Sequence, residues 1–591
     1  MKYRNFNHWD NADSLRGLCF FTQLIDEMLF EYSLDSYKPS SMNSSSLCKE
    51  LLDVYQGVDD RTINKSNIKP VTSELCSALE RDVVAKELID IPLFKCIKII
   101  KDEKLSKEER ISTIKLVRDR ISTDKYKKKS EEMIAIYVDS NDEDKIRSLT
   151  RNYITTLLNM GFHRSYIYHG NLKAFFHNKK VVSCDHIHSF FSIFSSDQKK
   201  YSVYLGINGV IPHLKEQMEA LQVLLVDKGS SSLKDRERKQ FENFSEVLVV
   251  KEILAFDEYS ARQLAEDRVG LVLSIAGLFH HKSMVERSGQ AIIFEIDRDG
   301  RECKRHVLGR PTNPMHKCID AKPQKAAKQF EKFMYNFSLG SRDQFLKFFR
   351  AAQLHSNAIS SESHESRFIS LWTALESLVP SSEELNTPIV NQLISATTPF
   401  LSLDYLPRII KRMVADLYNW DFKMTRSVLG NFDGVNYSER LVDFLVDDGF
   451  EENLKGFSKG KSDFFLLISR LRYLRSCVES PARVEKLLEN HGQRVSWQIR
   501  RIYRVRNKIV HDGSRYPQIE TLTENLHDYL DITMSYIVRL ACDGRKTNSI
   551  EDVFQLMRIL WANYKEGLSL YDGSWSGKAV DYVLPRIAPP L

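Results

Sequence analysis

From about residue 326 to the C-terminus, apolar residues recur at three- and four-residue intervals with few interruptions, a pattern that only helices can bury along one face. The breaks fall near 379–382, 432–434 and 456–462, where Pro, Gly, Ser and Asp gather. A chain built this way must pack helix on helix over its second half. The first half is less uniform. Residues 104–120 place Leu105, Ile111, Ile114 and Val117 at helical spacing, whereas 201–207 and 247–250 are short runs of β-branched and aromatic residues that predict strands. A helix is expected over 258–281, then a hairpin over 291–308 turning at Asp297-Arg-Asp-Gly300. The segment 227–232 reads as an exposed loop, and the first 75 residues show no clear period.

With 591 residues, two to four domains are expected. Hydrophobic residues at 42% and charged residues at 28% are ordinary globular values, which disfavours a disordered or fibrous chain. The longest uncharged apolar stretch, 269–281, is bounded by Arg268 and Lys282 and is too short to cross a bilayer. No basic-then-apolar leader is visible, so a cytoplasmic protein without a membrane partner is expected, with its nine cysteines reduced. The net charge of +6 advertises no polyanion partner, and any basic site has to be local.

That site is the segment 490–511. It carries Arg494, Arg500, Arg501, Arg504, Arg506 and Lys508 with no acidic residue before Asp512. On a helix, Arg500, Arg504, Asn507 and His511 fall within about 60° of one another and form a polar face. Ile499, Ile502, Tyr503, Ile509 and Val510 supply the expected buried stripe. Arg506 projects into the middle of that stripe. A guanidinium there needs a partner, either a structural counter-ion or a phosphate or second chain met at a helix seam, and the wheel leaves both open.

Arg506-Asn-Lys-Ile-Val-His511 has the form R-x4-H and resembles the signature of HEPN-type ribonucleases. The Arg-Ile-Tyr-Arg run before it, His-Asp-Gly at 511–513, and the W-x-A-L-E-x-L helix at 367–379 are similar to the Apea-like subgroup. The likeness covers roughly 345–540. It extends more weakly to 157–176 and 255–265, which look like the amino-terminal regions of bacterial antiphage proteins.

The resemblance implies an α+β N-terminal portion followed by an all-α HEPN helical bundle, mostly helical overall. The expected division is an N-terminal module of unknown fold at 1–75, a mixed α+β regulatory or sensor region at 76–340, a HEPN ribonuclease domain at 341–545, and a helical extension with a tail at 546–591. The implied activity is metal-independent RNA cleavage by a homodimer, in antiphage defence by abortive infection. RNA, with transfer RNA among the candidates, and a phage-encoded trigger are the implied partners, and no cofactor is expected. The competing readings are a non-catalytic HEPN module that binds RNA or protein, and a toxin held by a separate antitoxin.

In this reading His511 moves a proton at neutral pH. Arg506 grips the scissile phosphate through two donors, and Asn507 orients either. Glu376, at the margin of its helix's buried stripe, is expected to reach Arg506 or His511, as a counter-ion or as a proton-transfer group. Arg500, Arg501, Arg504 and Lys508 are the expected RNA contacts. Gly513 is expected to end the helix, leaving His511 in its last turn, where the dipole favours a cation.

Other signals are weaker. Cys303, His306, His316 and Cys318 are weak zinc candidates whose last step is tighter than usual. Cys184, His186 and His188 would share one face of a strand, but their Phe190 and Phe191 neighbours favour a buried edge. Gly456 to Ser462 is one residue short of a phosphate loop, and the serine-hydrolase and zincin motifs are missing.

Overall fold

The computed structural model describes the chain apart from residues 1, 8, 11, 31–32, 178–179, 210–214, 227–232, 279–284, 312, 316–322, 381–387, 459–463, 514–515, 543–548, 571–572, 574, 576 and 588–591. The chain is mostly helical and forms one five-stranded antiparallel sheet. It divides into two compact units, one of residues 1–152, 180–184 and 317–591, the other of 153–179 and 185–316. The expected boundaries at 75 and 340 do not coincide with this division. Among the described residues, no helix is long and apolar enough to cross a membrane.

The smaller unit holds the sheet. Its strands are β1 (Lys199–Asn208), β2 (Val223–Val226), β3 (Glu246–Ala255), β4 (Glu286–Ile296) and β5 (Glu302–Leu308), in the order β2-β3-β1-β4-β5. Alternation along β1 gives each face its own core. Val203, Leu205 and Ile207 pack with Val250, Ile293 and Ala261, Ala265 and Val269 of the helix Glu258–Gly277. Tyr204 packs with Phe241, Val247, Val249 and Ile292 on the other face. The expected hairpin is β4–β5. Gly300 takes φ +78° in its turn and donates its N–H to the Asp297 carbonyl at 3.1 Å, a conformation that side-chain-bearing residues adopt at a cost. The expected loop at 227–232 lies outside the described residues.

Apart from an isolated parallel bridge between Trp9 and Val181, the described secondary structure of the larger unit is helical, including in its N-terminal part the helices Arg16–Leu29, Ser44–Asp59 and Ile68–Arg81. Thirteen of the fourteen residues of Arg16–Leu29 are buried, the polar Gln23, Asp26 and Glu27 among them, so the helix is covered all round. Buried charge pairs tie this N-terminal segment to the C-terminal helices. Lys38 Nζ lies 3.0 Å from Glu524, and Arg470 lies 3.3 Å from Glu27 with its guanidinium 3.7 Å above the Tyr37 ring. Residues 1–152 are therefore part of the same folded body as the segment that carries the R-x4-H motif.

Candidate functional site

The motif lies at the end of a 32-residue helix, Pro481–Asp512, called the basic helix below. Its start is local chemistry: the Ser480 side chain accepts from the Arg483 N–H, and Pro481 occupies the first turn, where its missing N–H is not needed. Its end is local too. Gly513 sits at φ +61° in the left-handed region and terminates the helix, placing His511 in the last turn with its side chain exposed.

Arg506 is half-buried. One terminal nitrogen donates to Asn507 Oδ1 at 3.1 Å. Its Nε is buried and has no partner among the described residues, a donor left in a state that costs free energy until an acceptor arrives. The Trp372 helix, His364–Leu378, lies against the basic helix here, with the Trp372 and Tyr503 rings 5.7 Å apart.

Glu376 departs from its expected role. Its carboxylate accepts from Trp372 Nε1 at 2.9 Å, one turn back on its own helix. Among the described residues no ion pair or hydrogen bond joins it to Arg506 or His511. Trp372 is 1% exposed, so its indole N–H needs an internal acceptor, and Glu376 is the nearest the helix offers.

Two of the expected RNA contacts are also elsewhere. Arg501 is fully buried, donating to Glu50 at 2.8–3.2 Å and to Glu74 at 2.6 Å, and Arg504 donates to Glu50 at 2.7 Å. The acceptors come from the N-terminal helices Ser44–Asp59 and Ile68–Arg81, which cover this side of the basic helix. The wheel is turned accordingly: Val505 is buried, while Val510, expected in the apolar stripe, is 46% exposed. Arg500 is half-buried and donates to Asn391 Oδ1 at 2.9 Å. Within the segment 490–511 the accessible cations are Arg494, which is exposed, and the half-buried Arg500, Arg506 and Lys508; Arg483 and Lys486, nearer the start of the helix, are exposed as well.

The network sets protonation. Burial raises the Glu50 carboxyl, but the charges and hydrogen bonds of Arg501 and Arg504 outweigh this and bring it down to about 2. At Glu74 burial prevails over the pull of Arg501, and its carboxyl is raised. His491, on the same helix, stacks 3.9 Å from Tyr405, and burial with nearby Arg494 and Arg408 pushes it down to about 3, so it is neutral.

The weak zinc candidates are not brought together where they are described. Cys303 is exposed at an irregularity of β5, with Sγ 3.0 Å from the Glu295 carbonyl, and His306 faces Glu258 at 3.2 Å. His316 and Cys318 lie outside the described residues. Cys184, His186 and His188 occupy a 3-10 turn and a short helix rather than a strand, so the expected strand face does not form. The phosphate-loop-like segment falls partly outside the described residues, and its first residues end the helix Phe450–Ser458.

One cluster escaped sequence reasoning. His355, on the helix Arg342–Ser360, meets His527 and Asp531, on the helix Ile519–Ala541. The i, i+4 spacing of His527 and Asp531 is a usable signal, but nothing in the sequence pointed to His355.

Comparison of the chain with protein-family models, with curated proteins and with solved structures finds no match in any of the three.

Proposed function

We propose that the chain is a metal-independent endoribonuclease of the HEPN type, acting as a homodimer in antiphage defence. The observation that carries the reading is the end of the basic helix, where an exposed imidazole, His511, lies five residues after a half-buried guanidinium whose Nε lacks an acceptor. A scissile phosphate supplies that acceptor once the Arg506 side chain turns outward, because Nε is buried in the chain as it stands. The 2′-oxygen attacks phosphorus, the bond to the 5′-oxygen breaks, and a 2′,3′-cyclic phosphate forms. Charge gathers on the non-bridging oxygens, where Arg506 can stabilise it. His511 takes the proton from the 2′-hydroxyl or gives one to the leaving 5′-oxygen.

Two protons move and each chain offers one His511, so a pair of chains supplies the acid and the base together. Arg506 and His511 are also about 140° apart on their helix, which makes a compact site easier to build across two copies. Sedimentation velocity at micromolar concentration is expected to give a dimer formed chiefly through residues 365–540. A monomer, with and without RNA, counts against it. The sheet-bearing unit is the remaining candidate for sensing or restraint, because residues 1–152 are structurally committed to the unit that carries the motif.

The test is incubation of purified full-length protein with total RNA in excess chelator, with the cut ends mapped. Cleavage leaving cyclic phosphate ends is expected, since attack by an internal 2′-hydroxyl needs no metal-bound water. The burial of Arg501 and Arg504 takes two cations away from RNA and so does not favour the binding-only alternative; RNA retained without new ends would favour it.

A further inference from the structure

The His355, His527 and Asp531 side chains converge in a way that hydrogen bonding alone does not satisfy. The two Nε2 atoms are 3.0 Å apart, His355 Nε2 is 3.2 Å from one Asp531 oxygen, and His527 Nε2 is 3.2 Å from the other. The rings are nearly parallel, 20° apart, with centroids 5.1 Å from each other. Each imidazole nitrogen has one in-plane direction, holding either a proton or a lone pair. If both Nε2 atoms carry protons, the carboxylate is satisfied but two N–H groups face each other at 3.0 Å. If one is bare, its lone pair confronts a carboxylate oxygen at 3.2 Å. A dication held by the three residues removes both conflicts, because each unprotonated Nε2 and the carboxylate can then offer it a lone pair.

The dimensions agree. Metal–nitrogen bonds of about 2.0–2.1 Å in a tetrahedron put neighbouring ligand atoms about 3.3 Å apart, close to the 3.0 and 3.2 Å found. The ligand set, two imidazoles and a carboxylate, suits zinc rather than magnesium or calcium. The His527 side chain is 7% exposed and that of His355 23%, whereas Asp531 is 43% exposed, which leaves the solvent side for a fourth ligand such as water.

We infer that His355, His527 and Asp531 form a zinc-class cation site that cross-links the helices Arg342–Ser360 and Ile519–Ala541. The ion holds in place the helix that follows the basic helix in the chain. This role is independent of the RNA chemistry, and its test reads metal rather than cleavage.

Full-length protein stripped with chelator and dialysed against micromolar zinc chloride is expected to retain one equivalent per chain by elemental analysis. Cobalt chloride in its place should give the visible bands of a tetrahedral site without thiolate charge transfer. His355→Ala and Asp531→Asn, both at partly exposed positions, are each expected to lose that equivalent while keeping the wild-type circular dichroism. Cys303→Ser combined with His306→Ala is expected to keep it. No bound metal in the wild type, an equivalent that survives both site variants, or one lost only with Cys303 and His306 would each overturn the assignment.

Discussion

His511→Ala is expected to lower RNA cleavage by roughly 10²–10⁴-fold, the range for losing a positioned proton-transfer group, while RNA binding survives. Binding is expected to persist because the accessible cations of the basic helix, Arg494, Arg500 and Lys508 among them, are untouched by the substitution. The exposed position of His511 makes a folding defect a poor explanation for the loss. Arg506→Ala should impair cleavage as severely, and Arg506→Lys should fail to restore it, since an ammonium keeps the charge but not the two-donor fork. Arg501→Lys and Arg504→Lys, by contrast, are not expected to act through RNA affinity. Initial rates on a labelled RNA, with binding measured separately by filter retention, check all of these. Wild-type cleavage by the His511 variant, or a wild-type enzyme silenced by chelator while still folded by circular dichroism, overturns the mechanism.

The second large effect is on stability. Arg501→Ala leaves Glu50 and Glu74 buried together with only Arg504 to compensate, and breaking a buried ion pair from one side typically costs about 3–5 kcal/mol. Glu50→Gln should fall in the same range, because it removes the negative charge and turns one of the two acceptor oxygens shared by the buried guanidinium groups into an NH2 donor. Its pH dependence has a definite sign. The Glu50 carboxyl lies at about 2 in the folded chain against roughly 4.3 when unfolded, so its stabilisation is full above the unfolded value and disappears as pH falls through about 2. Glu74 is raised, so its contribution runs the opposite way and is lost as pH rises through its folded value. The gap in urea midpoint between wild type and Glu50→Gln should therefore be widest near neutrality and narrow in acid. A difference in unfolding free energy below about 1 kcal/mol at neutral pH, taken from the midpoint gap and the urea slope, or a gap that does not shrink on acidification, is incompatible with this network.

The same network explains where sequence reasoning stopped. The end of the basic helix was legible, because Gly513 acts within a few residues; the serine cap and first-turn proline that start it are just as local but were not read from the sequence. The β4–β5 hairpin and the strands around 201–207 and 247–250 were legible for the same reason: alternation and turn chemistry are short-range. A helical wheel, however, assumes one buried side. The basic helix is buried on a second side by Glu50, 451 positions away from Arg501, and no periodicity within the helix can register that partner.

Glu376 was placed correctly on its helix, yet its direction was set by the Trp372 indole beneath it. His355 and His527 meet across 172 positions because two helices cross there, although neither segment announces the meeting. What the sequence determined by itself is the helical second half, the strands around 201–207 and 247–250 with the β4–β5 hairpin, the basic character of one helix and the position of His511 at its end, since these follow from local backbone preference and local charge. Tertiary structure alone decided which cations remain accessible, because burial replaces solvent with whichever charged partners the fold brings to each guanidinium.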